Sequence, residues 1–162
     1  MHQFTLNIAN ISEMQQFGVK IASLIRVGDV IALNGNLGAG KTTFAQSIIA
    51  ALGYQHDISS PSYSIVHYYE PPELRLPLAH ADFYRLNDAM EIEELGIFDM
   101  LNDGAAIIEW AGDYVEHNMA QYIEINIEKI DDSENDLSQN DNDVSPRKLK
   151  INLGSDWVNR WT

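Results

Sequence analysis

Apolar residues recur along the chain with two different periods, which predict strands and helices. Seven segments alternate or are continuously apolar, as strands are: residues 3–8, 29–34, 63–69, 76–83, 105–110, 122–130 and 149–153. Three segments carry helical signals: residues 12–26 with Ser12 as the N-cap, residues 43–53 closed by glycine, and residues 88–95 closed by Gly96. This order predicts an α/β fold, and we expect the last two strands to pair.

Composition narrows the class of protein. At 162 residues, without an internal repeat or a linker, the chain suits a single domain over residues 1–162. It has no cysteine, no apolar run near the ~18 residues of a membrane span and no signal-peptide pattern, so we expect a cytoplasmic protein without membrane contact. Ten basic and 24 acidic residues give a net charge of −14, which argues against direct nucleic-acid binding.

An acidic, polar segment separates the last two predicted strands. Residues 131–143 contain six acidic residues and no basic one. Such a composition cannot bury enough apolar surface to fold, so we expect a disordered loop over residues 131–146. A solvated spacer is favoured there over an acidic docking segment.

Residues 35–42 read G-x-x-x-x-G-K-T, between a predicted strand and a predicted helix. In such a phosphate-binding loop, glycines let backbone N–H groups turn inward around the phosphates, and the helix adds its positive N-terminal end. Lys41 would reach the β- and γ-phosphates, and the Thr42 hydroxyl would hold Mg²⁺. The alternative is a glycine-rich turn with an unrelated lysine, which the order of strand, loop and helix disfavours. The loop predicts binding of a nucleoside triphosphate.

Two other predicted strands end in acids, Asp82 and Glu109. Ligands of an open α/β sheet lie beyond the carboxyl ends of its strands, where phosphoryl transfer needs a carboxylate for Mg²⁺ and a group that orients water. Each acid alone could be a surface residue, but beside a phosphate loop at least one is expected at the metal. Ser60, Pro61 and Ser62 lie where such proteins carry a γ-phosphate switch, with a plain turn as the alternative.

Two neighbours of these acids stay open between function and packing. His80, two residues before Asp82, is either an orienting residue or a packed one. Trp110, beside Glu109, is more typical of a core. Neither pattern decides alone.

In their order along the chain, these segments resemble the TsaE (YjeE) family of small bacterial P-loop ATPases. Residues 35–44 resemble its GDLGAGKTTF, residues 60–63 its SPTY, residues 80–86 its HxDxYRL, and residues 108–110 its IEW. The resemblance covers residues 3–130 and a last strand from Arg147. It implies a P-loop NTPase-like three-layer fold, with a central mostly parallel sheet, flanking helices and an antiparallel C-terminal hairpin. It also implies a role in the threonylcarbamoyladenosine modification of tRNA.

The resemblance also implies roles for single residues. ATP would be bound by the loop, its neighbours and a C-terminal arginine: Gly35, Leu37, Gly38, Ala39, Gly40, Lys41, Thr42, Thr43 and Arg147. Thr42 and Glu109 would ligate Mg²⁺, and Asp82 would act on the metal or on the water. These two acids and Lys41 form the expected catalytic set, while residues 60–62 would report the nucleotide state.

The chain departs from the family's pattern at three positions. Asn36 replaces an aspartate, which removes one negative charge near the phosphates. Ser62 replaces a threonine but keeps the hydroxyl. Met14 stands where the family commonly has a threonine near the adenosine, so that contact is not carried over.

The favoured hypothesis is a slow, Mg²⁺-dependent ATPase whose turnover resets a partner complex. Besides Lys41, the basic residues expected near the γ-phosphate are Arg85 and Arg147, and a charge-stabilising residue from a partner can add about 10³–10⁵ in rate. The resemblance implies the threonylcarbamoyl-transferase subunit and its inactive paralogous subunit as partners, with tRNA reached only through them. One alternative is a nucleotide-gated binding module with incidental hydrolysis. A small-molecule kinase ranks last. Such enzymes usually carry arginines in a lid segment, and residues 70–78 are a short stretch whose only basic residue is Arg75.

Overall fold

A computed structural model describes residues 2–112, 114–115, 121–130 and 145–161. The strands in this part of the chain are β1 (His2–Ile8), β2 (Val30–Asn34), β3 (Val66–Tyr69), β4 (Leu78–Asp82), β5 (Ala105–Glu109), β6 (Tyr122–Lys129) and β7 (Arg147–Leu153). The helices are α1 (Ile11–Leu24), α2 (Lys41–Ala51), α3 (Ala89–Glu94), α4 (Ile97–Met100) and α5 (Ser155–Val158). The expected α/β alternation is therefore present.

The seven strands form one mixed sheet in the order β1-β7-β6-β2-β5-β4-β3. The four central strands, β6, β2, β5 and β4, are parallel to one another. The three outer pairings, of β1 with β7, β7 with β6 and β3 with β4, are antiparallel. The mostly parallel sheet that we expected thus describes the centre alone, while the predicted hairpin of the last two strands is confirmed.

Helices cover both faces of the sheet. On one face, α1 and α2 bury residues such as Phe44 against Ile31 of β2. On the other, α3 and α4 bury residues such as Ile97 against Ile108 of β5. Parallel strands buried on both faces form continuous apolar runs, as β2 and β5 do in the sequence. Among the described helices, none combines the length and apolar content that a membrane crossing needs.

The two long helices cross at a glycine. A Cβ atom on Gly18 of α1 would lie 2.3 Å from Oγ and 3.1 Å from Cβ of Ser47 in α2. Real Cβ atoms do not approach another heavy atom to 2.3 Å, so glycine permits this separation of the helices. Because α2 starts at the phosphate loop, the crossing also fixes where that loop lies.

The start of α1 differs from the prediction. Asn10, and not Ser12, is the N-cap, and its side chain accepts a hydrogen bond from the Glu13 backbone N–H at 3.0 Å. The Glu13 carboxylate in turn accepts one from the Ala9 N–H at 2.7 Å. The two side chains thus satisfy a backbone N–H on each side of the N-cap residue. The helix also ends at Leu24, two residues earlier than predicted.

Strand β3 is shorter than the pattern indicates. The predicted strand began at residue 63, but residues 61–64 form a turn that the Ile65 N–H closes onto the Pro61 carbonyl at 2.7 Å. Ile65 has a φ of 70°, which a β-branched residue seldom adopts. The alternation of aromatic and aliphatic residues did not reveal this turn.

The predicted disordered loop, residues 131–146, lies outside the described residues except at its end. Ser145 and Pro146 are described, and the Pro146 carbonyl accepts a hydrogen bond from the Ile130 N–H at 3.0 Å. Pro146, directly before β7, therefore extends the pairing with β6 by one hydrogen bond, and the loop expected over residues 131–146 stays a prediction.

Candidate functional site

The phosphate-binding loop, residues 35–42, connects β2 to α2. Gly35, Gly38 and Gly40 have φ angles of 141°, 75° and 111°, which glycine adopts without steric cost. A Cβ atom on Gly35 would lie 2.4 Å from the backbone carbonyl oxygen of Ile127 in β6. The loop therefore lies directly on β6, and glycine is required at its first position.

Lys41, the first residue of α2, turns its side chain back across the loop. Its ammonium donates hydrogen bonds to the carbonyls of Gly35 at 2.8 Å and Asn36 at 2.9 Å. It also lies 4.0 Å from the centre of a Trp110 ring. Trp110 has a φ of 57°, an uncommon conformation that directs its indole over the loop. An ammonium has three N–H groups, so one remains for an anionic ligand.

The two strand-end acids predicted from the sequence lie side by side. Asp82 of β4 and Glu109 of β5 are register partners and are 7% and 2% exposed. Burial lowers the pKa of Lys41 below its ordinary value, and the negative charges of Glu109 and Asp82 oppose this only in part. The phosphate-loop lysine and both carboxylates thus share one electrostatic environment.

Glu109 is held at both carboxylate oxygens. The Thr42 hydroxyl donates to Oε2 at 2.8 Å, and His80 Nε2 is 2.7 Å from Oε1. Because the hydroxyl hydrogen points at the carboxylate, the Thr42 oxygen keeps its lone pairs for another ligand. His80 is therefore both buried in the core and in contact with Glu109.

Asp82 is bound to the segment expected as a switch. Its Oδ2 accepts a hydrogen bond from the Ser62 hydroxyl at 3.1 Å, and its Oδ1 accepts one from the Tyr84 N–H at 2.9 Å. The hydroxyls of Ser60 and Ser62 are 2.7 Å apart. Pro61 between them is buried and presents no group to the pocket described next. The switch prediction therefore rests on the two serines.

These elements surround an open pocket of about 550 Å³. The predicted residues that line it are Leu37, Gly38, Gly40, Lys41, Thr42, Thr43, Ser60, Ser62, Asp82 and Glu109. Tyr63, Tyr84 and Trp110 complete the lining with Arg85, whose guanidinium lies 5.2 Å from the Tyr63 ring centre. The sequence analysis gave the two tyrosines no role, although each lies within a motif that resembles the family's.

Arg147 lies on the other side of the loop. Its Nε donates to the Ala39 carbonyl at 2.7 Å, and the guanidinium also bonds to Ser145. Together with Met14 it lines a smaller pocket of about 230 Å³. The Arg147 side chain therefore contacts a backbone carbonyl of the phosphate loop, on the side away from Asp82 and Glu109.

The donor atoms of the larger pocket suit Mg²⁺ with a nucleotide. Among the described residues, no group of three or more His, Cys, Asp or Glu side chains could hold a metal ion by itself. Thr42, Glu109 and Asp82 instead offer one hydroxyl and two carboxylates, all hard oxygen donors. Mg²⁺ is usually bound by one or two carboxylates together with substrate phosphates and water. The residues present fit that arrangement.

Fold and site define a mixed α/β protein with a glycine-rich strand–loop–helix motif beside two strand-end carboxylates. A family model described as "Threonylcarbamoyl adenosine biosynthesis protein TsaE" matches residues 8–137. The chain belongs to the TsaE family, as its motifs predicted.

Relatives support this membership over most of the chain. The TsaE protein of Bacillus subtilis is 32% identical over 139 residues, which are 85% of each chain. That of Haemophilus influenzae is 33% identical over 141 residues, 83% of this chain and 88% of the relative. Both are named tRNA threonylcarbamoyladenosine biosynthesis protein TsaE.

A solved structure shares the fold. The crystal structure of Bacillus subtilis YdiB superposes with a TM-score of 0.72 and 24% identity, covering 98% of this chain and 90% of the other. At this identity the likeness concerns the fold alone.

Proposed function

We propose that this protein is a Mg²⁺-dependent ATPase of the P-loop NTPase class that serves tRNA threonylcarbamoyladenosine biosynthesis. The observation that carries the proposal is the 2.8 Å hydrogen bond between Thr42, at the end of the phosphate loop, and Glu109, at the end of β5. It joins the phosphate-binding motif to a carboxylate at the place where phosphoryl transfer needs one. Family membership supports the biosynthetic process.

The residues divide into binding and orienting roles. The loop's N–H groups and Lys41 would hold the β- and γ-phosphates, and Thr42 with Glu109 would hold Mg²⁺. Bound Mg²⁺ would neutralise charge on the phosphate oxygens. Asp82 would orient the attacking water or support the metal. Water attacks the γ-phosphorus, the bond to the β–γ bridging oxygen breaks, and ADP and protonated phosphate leave.

The pocket is poor in positive charge. Of the residues that line it, only Lys41 and Arg85 are basic, and Arg85 lies over Tyr63. A transition state that spreads negative charge over the γ-phosphate is poorly stabilised by so few cations, whereas a partner's arginine can add about 10³–10⁵ in rate. The protein would therefore hydrolyse ATP slowly alone and faster in a complex.

The partners proposed are the threonylcarbamoyl-transferase subunit and its inactive paralogous subunit, in the cytoplasm. ATP would favour the docked state, and hydrolysis would release the protein or reset the modifying site. Contact with tRNA would come only through that complex, since a net charge of −14 disfavours direct binding.

The first test is ATP hydrolysis with Mg²⁺, measured alone and after addition of the two subunits. A slow basal rate that rises sharply supports a partner-completed ATPase. An unchanged rate despite complex formation contradicts stimulation and favours the second candidate below. Failure to form any complex contradicts the proposed partners.

The second candidate is a nucleotide-gated binding module, which the Ser62–Asp82 hydrogen bond favours. It ties the switch segment to a strand-end acid, so an arriving γ-phosphate could rearrange the surface around Ser62 without hydrolysis. Glu109→Ala separates the two. If this variant binds ATP and the partners but fails to support repeated tRNA modification, hydrolysis is the function. If it supports modification as well as the wild type does, nucleotide gating is favoured. The third alternative, a small-molecule kinase, would be supported if labelled γ-phosphate were transferred to a metabolite and not to water.

A further inference from the structure

His80 is a buried histidine whose polar contact is with a candidate metal residue. It is 0% exposed, and its Nε2 lies 2.7 Å from Glu109 Oε1. Its Nδ1 has no hydrogen-bond partner among the described residues. A carboxylate only accepts, so the hydrogen in this bond lies on Nε2. A buried polar ring with one hydrogen bond calls for a physical explanation.

The register of the sheet explains how the histidine reaches Glu109. His80 lies opposite Ile107, and Asp82 lies opposite Glu109, in the parallel pairing of β4 with β5. Alternate residues of a strand share a face, so His80 and Asp82 point to the same side of the sheet. The ring then reaches diagonally to Glu109, the next residue after Ile107 on the same face of β5. Thr42 approaches the other carboxylate oxygen from α2.

We propose that His80 is a positioning residue for Glu109. By holding Oε1, it keeps Oε2 on the Thr42 hydroxyl and leaves the hydroxyl lone pairs facing the pocket. This inference rests on the proposed function, because it assigns His80 to the support of the Mg²⁺ site.

The competing contact for Glu109 is Lys41. The negative charge of Glu109 attracts that lysine, and the hydrogen bonds to His80 and Thr42 hold the carboxylate against this attraction. An ion pair between Glu109 and Lys41 would take the acceptor away from Thr42. It would also occupy the ammonium that is proposed to bind the phosphates. His80 thereby keeps the acid and the lysine in separate roles.

Two substitutions test this role. His80→Leu removes the donor but stays apolar, and His80→Gln keeps an N–H near the position of Nε2. We expect His80→Leu to raise the Mg²⁺ concentration for half-maximal ATP hydrolysis by about 10–100-fold, the usual effect of losing a residue that orients a metal ligand. His80→Gln should restore most of the wild-type value. ATP affinity measured in EDTA should be the same in all three proteins.

A matched control is available on the neighbouring strand. His67 of β3 is the register partner of His80, is partly exposed and bonds to Ser64. His67→Leu should leave the Mg²⁺ requirement unchanged. In a Glu109→Ala background, His80→Leu should not weaken Mg²⁺-dependent ATP binding further. Weaker ATP binding with and without Mg²⁺, in both backgrounds, would mean a purely structural histidine and would overturn the proposal.

A spectroscopic readout needs neither nucleotide nor metal. In ¹⁵N-histidine NMR spectra, His80 should carry a slowly exchanging hydrogen on Nε2, and Glu109→Ala should make that hydrogen exchange quickly. A hydrogen on Nδ1 alone would contradict the inference. If wild-type protein shows no Mg²⁺-dependent ATP binding, the proposed function fails; if it does and His80→Leu behaves identically, only the inference fails.

Discussion

Asp82 and Glu109 lie opposite one another at the ends of adjacent parallel strands, and each is bound to a different element. Glu109 accepts a hydrogen bond from Thr42 of α2, and Asp82 accepts one from Ser62 of the switch segment. The two acids therefore link the end of the sheet to α2 and to the segment proposed as a switch. Loss of the Glu109 contact and loss of the Asp82 contact should therefore affect different steps.

Glu109→Gln should separate binding from hydrolysis. The change is isosteric but removes the negative charge at the proposed Mg²⁺ site, so we expect single-turnover ATP hydrolysis to fall by about 10²-fold or more. ATP affinity in EDTA should change little, because the loop and Lys41 are untouched. Quenched-flow hydrolysis and calorimetric binding measure the two quantities. A rate within a few-fold of wild type would remove Glu109 from the catalytic set.

Ser62→Ala should uncouple the switch from the sheet. It deletes the hydroxyl that donates to Asp82 at 3.1 Å, whereas Ser62→Thr keeps a donor. A hydrogen bond to a charged group is worth about 1.5–3 kcal/mol, and partial exposure places this one at the low end, so partner-stimulated hydrolysis should fall roughly 10-fold. Ser62→Thr should retain the stimulated rate. Equal behaviour of the two variants would argue against a switch at this residue.

Lys41→Met should stabilise the nucleotide-free protein at neutral pH. Burial holds the pKa of Lys41 below 10.5, so between the folded and the unfolded pKa the unfolded chain binds more protons. Wild-type stability therefore gains with rising pH in that window, and below it the charged lysine costs folding free energy. The methionine variant lacks this cost, and its advantage should shrink as pH rises through the window.

Denaturant unfolding of both proteins across alkaline pH measures this difference. Burial raises the pKa of Tyr69, and its ionisation in the unfolded chain lowers stability at high pH in both proteins alike. The comparison therefore isolates Lys41. A methionine variant that is less stable at every pH would contradict the prediction. ATP should no longer raise the melting temperature of the variant.

Gly18→Ala should destabilise the crossing of α1 and α2. The new Cβ would lie 2.3 Å from Ser47 Oγ and 3.1 Å from its Cβ, and overpacking of this kind costs about 1–3 kcal/mol. Ser47→Ala removes the nearer atom and should recover part of the loss. A double-mutant cycle by urea unfolding measures the coupling. Additive effects would show that the two positions do not clash.

The centre of the site was predictable because its signals are local in the sequence. Residues 35–42 carry their own backbone requirements, and Asp82 and Glu109 follow apolar runs that a doubly buried strand produces. The hairpin of β6 and β7 was predictable for the same reason, since both strands alternate.

The remaining features depend on contacts between distant residues. His80 could not be assigned to Glu109 from sequence, because only the register of β4 against β5 places the ring diagonally beside the acid. The late start of β3 follows from the turn at Ile65, which closes through backbone hydrogen bonds. Tyr63 and Tyr84 reach the pocket only once that turn and the end of β4 are formed.

The C-terminal hairpin packs against the glycine-rich loop, residues 35–42. The Ile127 carbonyl of β6 lies where a side chain at Gly35 would be, and Arg147 of β7 binds the Ala39 carbonyl. The loop's backbone is therefore positioned by residues that lie far beyond it in the sequence, on β6 and β7. A fragment that ends before β6 would keep the complete motif sequence but would lose the residues that the loop packs against. The motif sequence alone therefore does not ensure the loop's conformation.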